Sequence, residues 1–319
     1  MAGKKPRVVV VGSVYVDMAI RCEQFPDTSE IISGSGFSCI PTGSGLNQAI
    51  QAALCGCEVS LVGKVGNDSF GQMVRNNLAD FGVNCDFLFQ AEAKNTGVTV
   101  SFVNSTGTNR TIISEGANKA LVPGDIKGAE FEKLISSADV CLINGQLPPD
   151  LVCAAIRAGK LSRTKVILDP ALSSEQFQRQ SVALPMDYYS ADILVPNFAE
   201  AAELSTVQNH NIHTAKLIGS DLIARGVGCA VIKLGKRGAL VVDKDSADQI
   251  PPFEVKFVDR TACGDAFDGA LAASCAVGDE IRKAVRFASA AGALACSKFG
   301  SQESLPKKEE IIELLQSLP

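Results

Sequence analysis

Short apolar, β-branched runs recur along this chain, and stretches of helical pattern separate them; that alternation constrains the fold more than any other feature. The first run, RVVVVG at 7–12, offers no polar position for a solvent-facing side, so it reads as a strand buried on both faces. A helical pattern covers 47–55, a strand follows at 58–63, and a helix at 69–81 ends at Gly82. Further strands are expected at 140–143, 165–169, 193–195 and 229–234, with helices at 150–158, 199–204 and 214–225 between them. Two Ala-rich helices, 264–277 and 279–296, precede a last one at 307–317. Strands joined through helices require crossover connections, and these give a mainly parallel sheet. Two stretches, about 14–40 and 96–114, break the alternation: they read as strands with polar faces and turns such as Ser105-Thr106-Gly107. The expectation is a single α/β domain over 1–319 with these two segments inserted as a small β lid.

Composition removes several classes of partner. The net charge is −5, and the only basic cluster is the short Lys4, Lys5 and Arg7 start, so no nucleic-acid partner is expected. No apolar run approaches the roughly 20 residues that span a bilayer, and no apolar signal-peptide core is followed by a small-residue cleavage site. Eleven cysteines lie scattered, with no CxxC and only Cys55-Gly56-Cys57 as a close pair. That pattern predicts reduced, mostly buried thiols in a cytoplasmic protein rather than a disulfide framework. The two histidines, His210 and His213, sit among Gln208, Asn209 and Asn211, which reads as a solvated loop rather than a metal pair. With histidine so scarce, acid–base chemistry falls to a carboxylate.

Four segments carry chemistry. No GxxxxGK[ST] occurs, and the first strand ends Gly12-Ser13-Val14-Tyr15, so neither a P-loop nor a dinucleotide-binding turn is present. At 259–269 the run Asp-Arg-Thr-Ala-Cys-Gly-Asp-Ala-Phe-Asp-Gly leads small residues into a helix whose first turn holds a carboxylate. The free N–H groups and dipole of such a helix start bind an anion, and Gly264 permits close approach. Asp265 beside that anion site can take a proton from an attacking hydroxyl, or can merely cap the helix. Asp268, one turn further along, falls outside the expected anion site. The second segment, Thr42-Gly43-Ser44-Gly45-Leu46-Asn47-Gln48-Ala49, is a Gly-rich turn entering a helix; its glycines allow close approach to a ligand, and Asn47 offers both donor and acceptor. In the third, Pro196-Asn197-Phe198-Ala199-Glu200, Asn197 and Glu200 share one helix face and suit either a hydrated metal near phosphates or a simple cap. The fourth, Lys233-Leu234-Gly235-Lys236-Arg237-Gly238, is a glycine turn after a strand with cationic neighbours.

These four segments, in this order, resemble the ribokinase (PfkB) carbohydrate kinase family. The resemblance runs from Val11-Gly12-Ser13 with Asp17 to Gly300-Ser301-Gln302. FPDTSE at 25–30, GNDSFG at 66–71, NTGVT at 95–99 and EGAN at 115–118 are most similar to its ribokinase members. The resemblance implies a three-layer α/β/α fold with a mostly parallel central sheet and a small β-sheet lid. It also implies ATP-dependent transfer of a phosphoryl group to a sugar hydroxyl. Asp265 would be the base, with the backbone of Ala262, Cys263, Gly264 and Asp265 as the anion hole. Asp17, Gly43, Ser44, Asn47 and Gln146 would line the sugar site. Asn197, Lys233 and Gly235 would face the nucleotide, with Glu200 organising Mg²⁺. Asp259 and Thr261, with carbonyls near Ala295 and Gly300, would hold K⁺. The lid would cover the sugar and pair two subunits into a homodimer.

The chain departs from the ribokinase pattern in places. Ser44 and Gln146 stand where ribokinases carry a Lys and a Glu that contact ribose, so a charged pair has become neutral and loses its charge-assisted hydrogen bonds. Lys233 replaces a Thr of the nucleotide loop. Ala262 and Cys263 replace the commoner Gly-Ala, and both are small. The acceptor implied is a pentose, ketohexose or related polyol. A nucleoside acceptor, or a catalytically weak sugar-binding protein on the same fold, are the alternatives.

Overall fold

The structure is a computed structural model that describes residues 5–172, 184–207 and 211–317. It builds a nine-stranded sheet around β1 (Arg7–Val11). On one side of β1 lie β4 (Glu58–Gly66) and β5 (Leu88–Ala91); on the other lie β8 (Val140–Asn144), β9 (Lys165–Asp169), β10 (Ile193–Leu194) and β11 (Cys229–Lys233), all parallel. An antiparallel edge follows, β12 (Ala239–Val242) and β13 (Ala247–Ile250).

The alternation inside β1 explains the layers. Val8 and Val10 pack into one core, and Val9 and Val11 into the other, so a strand without a polar face is satisfied by helices on both sides. The first core takes α1 (Ser44–Leu54), α2 (Ser69–Asp80), α7 (Cys263–Ala276), α8 (Ile281–Cys296) and α9 (Lys308–Gln316). The second takes α3 (Ala129–Ser137), α4 (Pro149–Leu161), α5 (Phe198–Leu204) and α6 (Ala215–Ala224). The result is the expected three-layer α/β/α arrangement. None of the described helices is long and apolar enough to cross a membrane.

The two segments that broke the alternation form a separate four-stranded sheet of order β3-β2-β6-β7. Its strands are β2 (Tyr15–Cys22), β3 (Gly34–Thr42), β6 (Gly97–Val103) and β7 (Asn109–Ser114). Asn118 pins its base to the main sheet: its side chain accepts from the Val14 N–H at 2.9 Å and donates to the Val14 carbonyl at 2.7 Å. The sequence pattern missed β5, β12, β13 and α3. The first three are four-residue strands at the ends of the sheet, too short for a periodicity to show. The histidine pair is half visible: His213 is exposed in a short turn, its N–H bound by the Asn211 side chain at 2.9 Å, while His210 lies outside the described residues.

One backbone contact sets the position of everything described next. A Cβ built on Gly45, in the first turn of α1, would stand 2.4 Å from the Gly12 carbonyl carbon at the end of β1. Gly45→Ala should therefore force helix and strand apart. The expected cost is about 2–4 kcal/mol of stability, read as a lower midpoint in urea unfolding despite alanine's better helix propensity.

Candidate active site

In an open α/β sheet the crevice for ligands opens beyond the carboxyl ends of the strands, where the strand order reverses. Here that point lies between β1 and β8, and the residues just past the strand ends are polar. Ser13, following β1, donates to Asn144 Oδ1 at 3.2 Å and to Gln146 Oε1 at 2.8 Å. Asn144, closing β8, donates to Asp169 Oδ2 at 3.0 Å, and Asp169 closes β9. Lys233, closing β11, has its Nζ 3.7 Å from Asp169 Oδ1 and 2.9 Å from Asp268 Oδ2. A polar chain thus crosses the sheet ends from Gln146 to Asp268.

Helix α1 reaches into this chain with two successive side chains. Asn47 donates to Asp265 Oδ2 at 2.8 Å and Gln48 donates to Asp169 Oδ2 at 2.9 Å. The oxygen of each amide, Asn47 Oδ1 and Gln48 Oε1, is buried without a partner. Such an acceptor calls for a donor from a ligand or water. The turn before α1 needs its glycine: Gly43 has φ +111, and a Cβ there would stand 2.8 Å from the Ser13 carbonyl oxygen.

Asp265 lies in the first turn of α7, where the helix offers its own amides no preceding carbonyl. Burial pushes its carboxyl above the usual aspartate range, and nearby Asp169 adds to the shift; hydrogen bonds from Asn47 and Ser44 and the Lys233 charge oppose it. The anion-hole candidates Ala262, Cys263 and Gly264 are contiguous with it, and Ala262 takes the left-handed N-cap conformation, φ 55 and ψ 6. Asp259 and Thr261 lie just ahead. Asp259 Oδ1 accepts from the Thr261 N–H and hydroxyl at 3.0 and 2.8 Å, and Oδ2 accepts from the Gly300 N–H at 3.2 Å. Burial pushes Asp259 up, but those hydrogen bonds outweigh it and hold the carboxyl below its ordinary value. The candidate cation residues Asp259, Thr261 and Gly300 are thereby brought together, and Ala295 is buried in the last turn of neighbouring α8.

Other candidates fall at different distances from this centre. Asn197 and Glu200 form a reciprocal capping box on α5: the Glu200 N–H donates to Asn197 Oδ1 at 3.0 Å, and the Asn197 N–H to Glu200 Oε2 at 2.7 Å. The motif thus caps its helix, and it also keeps a buried carboxylate near Asp169 and Lys233. Burial first, and Asp169 second, push Glu200 above the usual carboxylate range. Gly235 opens an exposed turn with φ +58. Asp17 stands on the small sheet, its carboxylate taken by Thr99 and Ser101. Among the described residues no group of three or more His, Cys, Asp or Glu side chains is arranged to hold a metal. A cavity of about 770 Å³ bounded by Met18, Phe70, Lys94 and Glu115 shares none of the site residues.

One expectation is corrected, and one residue gains a partner. Asp268 is 1% exposed and binds Lys233 with both oxygens, at 3.2 and 2.9 Å. The helix turn that carries it away from the anion site also points it at the end of β11. The reading of all thiols as reduced fails at one pair. Cys263 and Cys296, 33 residues apart, are joined by a disulfide with a Cα–Cα distance of 5.5 Å, because the start of α7 lies beside the end of α8; the other nine cysteines are free. Sequence reasoning missed Ser13, Gln48, Asn144 and Asp169. A signal existed: a polar residue at or just after the end of an otherwise apolar strand, as in VCLIN and KVILD.

The model of the pfkB family carbohydrate kinases matches residues 5–308. The chain belongs to that family. A Bacillus subtilis ribokinase is 31% identical over 312 residues, covering 97% of this chain and 99% of its own. A Salmonella typhi deoxyribokinase is 28% identical over 309 residues, 97% of this chain and 98% of its own. The structure of Arabidopsis thaliana ribokinase complexed with ribose and ATP superposes with a TM-score of 0.89 at 27% identity, covering 98% of this chain and 99% of that one. The protein is accordingly an ATP-dependent carbohydrate kinase.

The N-cap of α7, Ala262, carries backbone strain. A left-handed φ costs an L-residue roughly 1–2 kcal/mol, and glycine escapes it at some entropic expense in the unfolded chain. Ala262→Gly should stabilise the protein by about 0.5–1 kcal/mol, measured as a raised urea midpoint at unchanged slope.

Proposed function

We propose that this kinase transfers the γ-phosphoryl group of ATP to a hydroxyl of a pentose, ketohexose or related polyol, with Asp265 as general base. The observation that carries this is the seating of Asp265. Asn47 holds its Oδ2 in the first turn of α7, beside the amides of Gly264 and Asp265, while Asn47 Oδ1 waits for a donor. An acceptor sugar bound by Asn47, Ser44 and Gln146, under a lid bearing Asp17, would present a hydroxyl to Asp265. The hydroxyl proton passes to Asp265 as its oxygen bonds the γ-phosphorus. The bond from that phosphorus to the β-phosphate oxygen breaks, leaving its electron pair on ADP. The amides of Cys263, Gly264 and Asp265 take the charge gathering on the phosphoryl oxygens. Gly235 and its exposed turn would lie against the nucleotide.

Two ions fit the residues. Glu200 and Asn197, in their capping box near Asp169, would hold a hydrated Mg²⁺, which neutralises the phosphates of ATP; magnesium keeps most of its waters and needs few protein ligands. Asp259, Thr261 and the carbonyls of Ala295 and Gly300 suit K⁺, and the depressed Asp259 carboxyl keeps that place anionic. Exposed Phe37, Ile112 and Ile113 on the lid support pairing of two subunits there. Neutral Ser44 and Gln146 make ribose a weaker acceptor than in a ribokinase with the charged pair.

ADP release over a panel of pentoses, ketohexoses and nucleosides tests the reading. A sugar should turn over fastest, and Asp265→Asn should lower kcat on it by roughly 10²–10⁴-fold while folding and ATP binding persist. A carboxylate held above its ordinary pKa loses its base form at higher pH. The acid limb of wild-type kcat/KM should therefore lie above the normal aspartate range and vanish in Asp265→Asn. Equal kcat in the two proteins refutes the assignment. Potassium should raise activity more than sodium or lithium by ordering the α7 start, and equal rates with no monovalent cation would refute the cation site.

A further inference from the structure

Lys233 is set in an arrangement that stability does not explain. Its main chain is fixed: its N–H donates to the Pro196 carbonyl at 2.8 Å, and it bridges to Asn197. Its side chain is 18% exposed, and its chief partner Asp268 is 1% exposed. A buried ion pair rarely outperforms a well-packed apolar pair of similar size, because desolvating both charges consumes the Coulombic gain. Two carboxylates lie within 4 Å of this ammonium, Asp268 at 2.9 Å and Asp169 at 3.7 Å, and Glu200 and Asp265 act on its charge from farther away. Burial alone would lower the lysine's proton affinity, but the carboxylates outweigh it, so the group stays charged.

The geometry shows where that charge points. Asp268 grips the ammonium from the second turn of α7 with both oxygens. Asp169, at 3.7 Å, is beyond hydrogen-bond length and is itself held by Gln48 and Asn144. An ammonium has three N–H donors, and both carboxylate oxygens of Asp268 together use at most two. Gly264 precedes Asp268 by one turn on the same face of α7, and a Cβ built on it would stand 3.9 Å from Nζ. The ammonium therefore lies beside the glycine in the first turn of the helix.

We propose that Lys233 is a catalytic residue of this kinase: held by Asp268 and Asp169, its ammonium donates its remaining N–H to a nonbridging oxygen of the phosphoryl group in transfer. The proposal rests on the reading of the α7 start as the phosphoryl site. Lys233 keeps all its protons throughout, since the acceptor's proton goes to Asp265. A fixed cation of this kind stabilises charge that develops on the equatorial oxygens without reorganising during the reaction. Asp268 is a positioning residue, acting through Lys233.

Lys233→Met alone leaves Asp268 buried without a partner and can fail to fold, so the deciding protein is the double variant Lys233→Thr with Asp268→Asn, which removes both charges together. With MgATP and the fastest acceptor of the sugar panel, its kcat should fall roughly 10²-fold, at a thermal midpoint and an ATP dissociation constant close to wild type. Lys233→Arg should recover part of that loss. A double variant with wild-type kcat would show that the pair only holds the fold and would overturn the proposal. Asp265→Asn run alongside separates the two readings. If it is inactive while the double variant is fully active, only the role of Lys233 falls; if Asp265→Asn keeps its rate, the phosphoryl site itself is misplaced.

Discussion

The site depends on a backbone-to-backbone contact between Gly12 at the end of β1 and Gly45 in the first turn of α1. No side chain separates strand end from helix there, so α1 comes closer to the sheet than any Cβ would permit. That approach puts Asn47 and Gln48, neighbours in sequence, within hydrogen-bond range of Asp265 and Asp169, which come from a different helix and a different strand. Moving α1 outward by even an ångström would break both bonds, taking Asn47 from Asp265 and leaving Asp169 with the Asn144 donor alone.

Electrostatics is the second constraint. The carboxyl ends of the strands gather Asp169 and Glu200 around the first turns of α7, which bring Asp265 and Asp268, and Lys233 acts against them from within. A cluster with this excess of negative charge costs free energy in the unliganded protein, and added cations and donors relieve it. The same imbalance adds to the rise that burial gives Asp265. The disulfide between Cys263 and Cys296 and the hydrogen bonds that Asp259 accepts from Thr261 and Gly300 tie the start of α7 to the end of α8, so the first residues of α7 are held from both sides.

The parallel sheet was legible in residues such as Val8 to Val11, because a strand buried on both faces leaves no polar position and its neighbours are joined by amphipathic helices. The small sheet was legible from the break in that alternation. The helix start at Gly264 and Asp265 was legible because small residues ahead of a helical run mark such a start, and that signal is local. The capping box of Asn197 and Glu200 was also readable, since both partners lie within one turn. The short strands β5, β12 and β13 were not, because four residues carry too little periodicity to separate a strand from a loop.

Sequence alone determined the layer architecture, the family, and the presence of a carboxylate in the first turn of a late helix, since each follows from local pattern or from motifs in fixed order. Tertiary structure decided the pairings. Lys233 with Asp268, Gln48 with Asp169, Ser13 with Gln146 and Cys263 with Cys296 join residues 33 to 133 positions apart. Nothing in the spacing of such residues records their distance in space. That distance exists only once the strands are ordered, the two glycines have let α1 settle on β1, and the first turn of α7 has been set against the end of β11.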